Sequence, residues 1–355
     1  MSTLTSTTNK VNPLTAGQLP GFALWVTLAG SVVIGGIIDS LVFYGFDIWT
    51  TAFLGAVIFL PVIYAVARGV EGRRAAADRL ATALVSGAFL LALLPLVSLL
   101  WETLSNGVAR FDATFFTWSM RNVIGDGGGA IHALYGTLIV TGIATLISVP
   151  IGLMTAIYLV EYGRGPLARG ITFFVDVMTG IPSIVAGLFA YALMAIVFGP
   201  GTVNGFSGSI ALTVLMIPIV VRATEELLRI VPNELREASY ALGVPKWRTI
   251  LSVVLPTALS GIVSGIILSI ARIIGETAPL MIAAGFTNSI NTNPFANPMM
   301  TLPVFVYDQY AHPGIERVFY NERAWTGALT LIALVMVLNL LGRFIAKRFA
   351  PQTGR

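Results

Sequence analysis

The stretch PNELREASYALGVPKWRTILSVVLP, residues 232–256, is a long polar segment with a helical pattern of its own, set between strongly apolar runs. Asn233 is placed to cap a helix, with Glu234 and Glu237 in its first turns, where carboxylates favour a helix N-terminus. Leu235, Ala238 and Leu242 share one face at three- and four-residue spacing. Gly243 is expected to end that helix in the left-handed conformation glycine accepts. Pro245 is expected to open a second short helix at its first position, with Lys246, Trp247 and Arg248 following. The spacing predicts two short helices joined by a glycine elbow and mounted on membrane spans at both ends.

Glu237-Ala238-Ser239, then Gly243, Val253, Leu255 and Pro256, resemble the EAA loop of ABC importer permeases. That pattern reads EAA, three residues, Gly, nine residues, Ile, one residue, Leu-Pro. Ser239 stands where the pattern has alanine, and Val253 where it has isoleucine. The resemblance implies a cytoplasmic loop that docks in a groove on a separate ATPase subunit. It implies coupling roles for Glu237, Ala238, Ser239, Gly243, Leu255 and Pro256.

Composition agrees with a membrane setting. Of 355 residues, 56% are hydrophobic and 11% charged, with a mean hydropathy of +0.84, whereas soluble domains carry roughly a quarter charged residues. The chain reads as an all-α polytopic membrane protein. It contains no cysteine, which excludes disulfides and thiolate metal sites. Its net charge of +4 comes from basic residues in short loops beside apolar spans, the signature of membrane topology rather than of nucleic-acid binding.

About eight spans are expected, each with the roughly 20 apolar residues a bilayer core requires. They fall at Phe22–Tyr44, the segment ending near Ala67, Leu80–Leu104, Ala133–Leu159, Ile171–Phe198, Ser209–Leu228, Thr257–Phe286 and Ala324–Phe344. Residues 1–20 read as a disordered cytoplasmic tail, 21–79 as a two-helix extension, and 80–355 as a six-span core containing the 232–256 loop. Pro182 is expected to kink the fifth span, and FDATFFTWSM at 111–120 to lie in the membrane interface with its aromatics down. With the 232–256 loop cytoplasmic, the arginine-rich loops at 68–79 and 161–170 and both chain ends face the cytoplasm as well. The outer segments then hold Arg110, Arg121, Arg317 and Arg323.

Arg272 and Glu276 are expected near the middle of the seventh span, on one helical face at i and i+4. A central charge costs about 2.5–3.5 kcal/mol on insertion scales, so two there need a reason. They are either a tie to a neighbouring helix or a lining of the substrate path, where a guanidinium grips an oxyanion through paired hydrogen bonds. Arg222, near the cytoplasmic end of the sixth span, is either a second path residue or an arginine snorkelling to headgroups. His132 and His312 are far apart and read as satisfied loop residues. GDGGGA at 125–130 fits a dinucleotide fingerprint but has no preceding strand, so it reads as a flexible lead-in to the fourth span. There is no G-x-x-x-x-G-K-[ST] and no Ser/His/Asp or His-Glu metal motif.

GIPSIVAGLF at 180–189, the run from Val220 to Ile250, and ARIIGETAPL at 271–280 together resemble the phosphate-specific transport permeases, most closely the A-type subunit. The resemblance spans about Gly129–Phe344 and implies a type I (MetI-like) ABC permease fold. It implies phosphate translocation across the cytoplasmic (inner) membrane of a prokaryote, with Arg222, Arg272 and Glu276 on the path. It further implies a second related permease, a pair of ATPase subunits that hold the ATP and magnesium, and an extracytoplasmic phosphate-binding protein. This chain itself would bind no cofactor, and membrane lipid would be its surroundings. Sulfate or molybdate as cargo, or an ion-coupled secondary carrier, are the competing readings; the EAA-like loop speaks against the last.

Overall fold

The computed structural model describes residues 19–42 and 47–348. The tail expected over 1–20 falls outside them except for its last two residues, as do Gly45 and Phe46 of the first expected turn. All regular structure among the described residues is helical: α1 (Ala23–Val42), α2 (Ile48–Val70), α3 (Arg73–Gly107), α4 (Ala113–Thr117), α5 (Ile131–Ile157), α6 (Pro166–Thr179), α7 (Ser183–Phe198), α8 (Gly205–Ile230), α9 (Asn233–Ala241), α10 (Lys246–Thr249), α11 (Leu255–Ile273), α12 (Ala278–Ala283), α13 (Leu302–Ala311) and α14 (Arg317–Arg348). A membrane requires this, because backbone N–H and C=O groups in hydrocarbon must be paired within the chain. Seven of the described helical stretches are long and apolar enough to cross a membrane, or eight if the bent pair α6–α7 is one span.

Compact packing divides the chain into Met1–Leu100 and Trp101–Arg355, the boundary falling inside α3. In the first unit α1 and α2 touch backbone to backbone. A Cβ on Gly35 would lie 2.7 Å from the Gly55 amide nitrogen. Asp39, buried in α1, accepts from the Asp47 amide at 2.8 Å and the Thr51 hydroxyl at 3.0 Å. Asp47 caps α2 through the Thr50 amide. Outside the helices Glu71 binds Arg79 and the Leu19 amide, and the Arg79 hydrogen bond foremost holds its carboxyl below the usual carboxylate range.

The second unit is built on α5 and α8. Ala133, Thr137, Val140, Ala144, Ser148, Gly152 and Ala156 form the buried stripe of α5, and small side chains of this kind are what let spans approach closely. A Cβ on Gly152 would sit 2.7 Å from a Val220 methyl, and one on Gly136 would sit 1.9 Å from the Met300 carbonyl oxygen. The Leu302 amide donates to the Thr137 hydroxyl at 2.7 Å, so α5 also holds the start of α13.

Two expected spans are broken. The fifth is two helices bent by 109° between Thr179 and Ser183, not one kinked helix. The ring of Pro182 disfavours the helical conformation at Ile181, and Gly180 and Ile181 close α6 with short bonds to Val177 and Met178. The seventh stops at Ile273 and resumes as α12. Pro279 has no amide hydrogen and its ring would strike the carbonyl four residues back, at Gly275. The two breaks are neighbours, since Gly187 of α7 rests against the Pro279 backbone of α12.

Near the ends of α3 and α14 two further expectations change. Within the segment at 111–120 the aromatics divide: Phe111 and Trp118 are exposed, whereas Phe115 turns inward and is buried, edge-on to Phe116 and Phe305. The glycine segment is pinned: Gly125, Gly127 and Gly128 have φ of 77°, 92° and 68°. Arg323 donates to the Gly125 and Gly127 carbonyls at 2.8 and 3.1 Å, and Arg110 binds Asp126 at 2.6 Å. Arg323 is therefore no loop charge but a helix residue 1% exposed. His132 also lies inside, with neither ring nitrogen hydrogen-bonded.

The close approach at Gly136 makes a paired test. Gly136→Ala should destabilise the purified protein by about 1–3 kcal/mol, since overpacked cores lose that much. Gly142→Ala on the same helix meets nothing within 4 Å and should gain about 0.5–1 kcal/mol from helix propensity. Thermal unfolding in detergent should move the two midpoints in opposite directions.

Candidate functional site

The hairpin between α8 and α11 forms as the spacing requires, with two shifts at its caps. Pro232, not Asn233, precedes the first helix; Asn233 is its first residue and accepts from Arg236 at 3.3 Å. Pro245 likewise lies outside α10 as its extended N-cap. Gly243 makes the elbow at φ 76°, where its amide reaches the Tyr240 carbonyl and the Val244 amide the Ser239 carbonyl. A five-residue π-helix, Ile250–Val254, then leads into α11, and a second, Tyr158–Tyr162, ends α5. Such wide turns are uncommon and recur at functional positions.

The two helices of the hairpin are tied by the Ser239 and Thr249 hydroxyls, 2.8 Å apart and both buried. The serine that departs from the EAA pattern is thus used structurally. Leu255 and Pro256 start α11, with Leu255 packed against the buried group around Val254, Ala258 and Ile262. Glu237 and Ala238 face outward. Leu242 is 83% exposed and Trp247 59%. The apolar face legible in the sequence is therefore not covered by this chain.

What holds the hairpin is a set of charges that periodicity did not reveal. Arg236 donates through Nε and Nη2 to Glu161 Oε1 at 3.1 and 2.9 Å. It also donates to the carbonyls of Leu228 at 2.9 Å and Val231 at 2.6 Å, groups that the end of α8 leaves without helical partners. Lys246 donates to the Glu161 carbonyl and lies 4.9 Å over the Tyr162 ring. Glu161 and Arg236 are 75 residues apart in sequence, so no local pattern links them. The only local signal was a carboxylate closing an apolar run.

Arg222 stands in α8 beside this region, bonded to Asp176 of α6 and, at 2.6 Å, to Glu225. Arg229 binds the other Glu225 oxygen at 2.6 Å. Asp176, Glu225 and Arg229 edge an open cleft of about 410 Å³ that Arg169, Thr172 and Phe173 also line. Arg272 and Glu276 are not a helical pair. Arg272 lies in the last turn of α11 and Glu276 beyond its end. Among the described residues they form no ion pair, and Arg272 is exposed. Gly261 meets Leu227 and Gly265 meets Ala223 across α8 and α11, so Arg222 stands level with Ile266. Arg272, six residues on, is about 9 Å further along the axis. The two arginines thus occupy different depths.

The described helices thus form a polytopic core that carries a polar, self-stapled hairpin with an uncovered apolar face. Residues 148–355 match the family described as the binding-protein-dependent transport system inner membrane component. Over 294 residues, the chain is 48% identical to the phosphate transport system permease protein PstA 1 of Mycobacterium tuberculosis, covering 81% of this chain and 95% of that one. It is 38% identical over 269 residues to PstA of Yersinia pestis, covering 76% and 89%. A crystal structure of a bacterial alginate ABC transporter aligns with TM-score 0.57 at 13% identity, covering 79% of this chain and 97% of that one, a likeness of fold. The chain belongs to this inner-membrane permease family, among its phosphate transport permeases. It is a transport subunit and not an enzyme.

The elbow is open to test because a Cβ on Gly243 would meet nothing within 4 Å. Any penalty is then backbone strain, about 1–2 kcal/mol for an ordinary residue and less for asparagine. Gly243→Val should raise proteolysis within 240–250, while Gly243→Asn should stay near wild type.

Proposed function

We propose that this chain is the membrane-spanning permease subunit of an ATP-driven importer of inorganic phosphate. Its likeness to phosphate permeases along nearly their whole length carries this reading. ATP and magnesium bind a pair of ATPase subunits, in keeping with the lack of any phosphate-loop motif in this sequence. The uncovered hairpin face of Leu242 and Trp247, with Glu237 beside it, docks in the ATPase groove. One docking hairpin per chain calls for a second permease subunit, and an extracytoplasmic binding protein delivers phosphate. The two-helix segment 21–79 stands as an extension to the core in 80–355, and both chain ends and the hairpin face the cytoplasm.

Arg272 supplies a guanidinium free of any carboxylate among the described residues, able to take a phosphate oxyanion through paired bonds. Arg222 adds positive potential at the cytoplasmic level, tempered by Asp176 and Glu225. Glu276, acceptor-only when ionised, favours an anion that still carries a proton, as phosphate does and sulfate does not.

Uptake by the complete complex in vesicles tests this reading. Arg272→Gln should lower phosphate uptake at least about tenfold, the loss of one or two charge-assisted hydrogen bonds, with assembly intact. Glu276→Gln should narrow the preference for phosphate over sulfate. Unchanged uptake in the arginine variant would remove Arg272 from the path.

Orientation has its own test, since any introduced cysteine is the sole thiol. Arg74→Cys and Arg248→Cys should resist an impermeant thiol reagent in intact cells, whereas Thr292→Cys should react; all three positions are exposed. The opposite pattern would invert the topology.

A further inference from the structure

The hairpin touches the rest of the permease through few polar groups, and both of its helices grip the same place. Arg236 from α9 and Lys246 from α10 converge on Glu161, one on its carboxylate and the other on its carbonyl. Glu161 lies in the π-helix that ends α5, with its side chain 4% exposed against 12% for Arg236. The same guanidinium holds the last carbonyls of α8. We propose that Arg236 and Glu161 are the strut through which displacement of the hairpin by the ATPase moves α5 and α8 together. This rests on the reading of the chain as an ATP-driven permease.

Three observations favour a mechanical role over a merely stabilising one. First, the fork of Arg236 reaches α5 and the end of α8 at once, so α9 cannot move without moving both or breaking several bonds. Second, α5 runs from the π-helix of Glu161 back to Thr137, whose hydroxyl accepts from the Leu302 amide, so a displacement at its end bears on the start of α13. Third, a buried ion pair is weak evidence for a purely stabilising role, because it is often replaceable by apolar residues with no loss of stability. Glu237, which the sequence pattern singles out, faces away from the core. The strut is a separate, inward-facing positioning function on the same helix.

The replaceability of a buried pair supplies the test. Glu161→Met/Arg236→Met removes both charges and leaves no unpaired one. The complete importer with this double substitution is reconstituted in proteoliposomes, and phosphate uptake and ATP hydrolysis are measured on the same sample. The expected outcome is wild-type assembly, ATPase activity within about twofold, and phosphate carried per ATP lowered about tenfold, the scale of coupling between contacting residues. Arg236→Lys, which keeps the charge but loses the fork, should fall between. A normal ratio of phosphate to ATP in the double variant, or its failure to assemble, would reduce the pair to a folding contact and overturn the proposal. If the unsubstituted complex carried no phosphate, the functional reading would fail instead, and the two failures are distinct.

Discussion

Helices in a bilayer are not driven together by burial of apolar surface, because lipid is as apolar as they are. What remains is close van der Waals packing, and this chain obtains it where α5 lays its stripe of small residues against α8. Gly152 lets Val220 approach, and Gly208 of α8 lets Leu280 and Ala284 do the same from α12. The buried group extending from Phe115 through Val140 and Met216 to Phe305 is organised around that contact. The two broken helices and α13 find their places against this pair, and α14 packs in turn on α11 and α13.

Interrupted helices have a consequence for polar chemistry. Where α6 gives way to α7 and α11 to α12, backbone groups leave the helical ladder, something tolerated at membrane depth only inside protein or along a watery cavity. The contact of Gly187 with Pro279 sets the second half of each broken pair side by side. Arg272 stands at the edge of one of these interruptions and Glu276 within it. This accounts for charges that a continuous span would tolerate poorly, and it replaces the intrahelical pair with two separate groups.

The end of the core that carries the hairpin is polar for a different reason. There a helix end, a π-turn and a short hairpin must be joined with little apolar surface to spare. Arg236 does so by satisfying several acceptors at once, in the way a planar fork can and an ammonium cannot. Arg222 joins α6 to α8 through Asp176 while also binding Glu225 of its own helix. Between them these two arginines link α5, α6, α8 and α9, while the outward face of the hairpin stays free.

Most of the spans, the hairpin and its elbow were legible in the sequence, because a membrane span is set by a run of apolar residues and an elbow by one glycine, both local properties. Leu235, Ala238 and Leu242 announced an apolar face without revealing that this chain would leave it open. The break at Pro182 was half legible: the proline marked its position, but a 109° bend as against a mild kink depends on whether a neighbouring helix fills the space. The break before Pro279 was not read from the sequence, because the apolar run resumes beyond it. The partners of Arg222 and Arg236, the burial of Arg323 and the separation of Arg272 from Glu276 were decided by tertiary structure alone. A long charged side chain takes whichever partners three-dimensional packing brings within about 3 Å, and Glu161 comes to Arg236 across 75 residues of intervening chain.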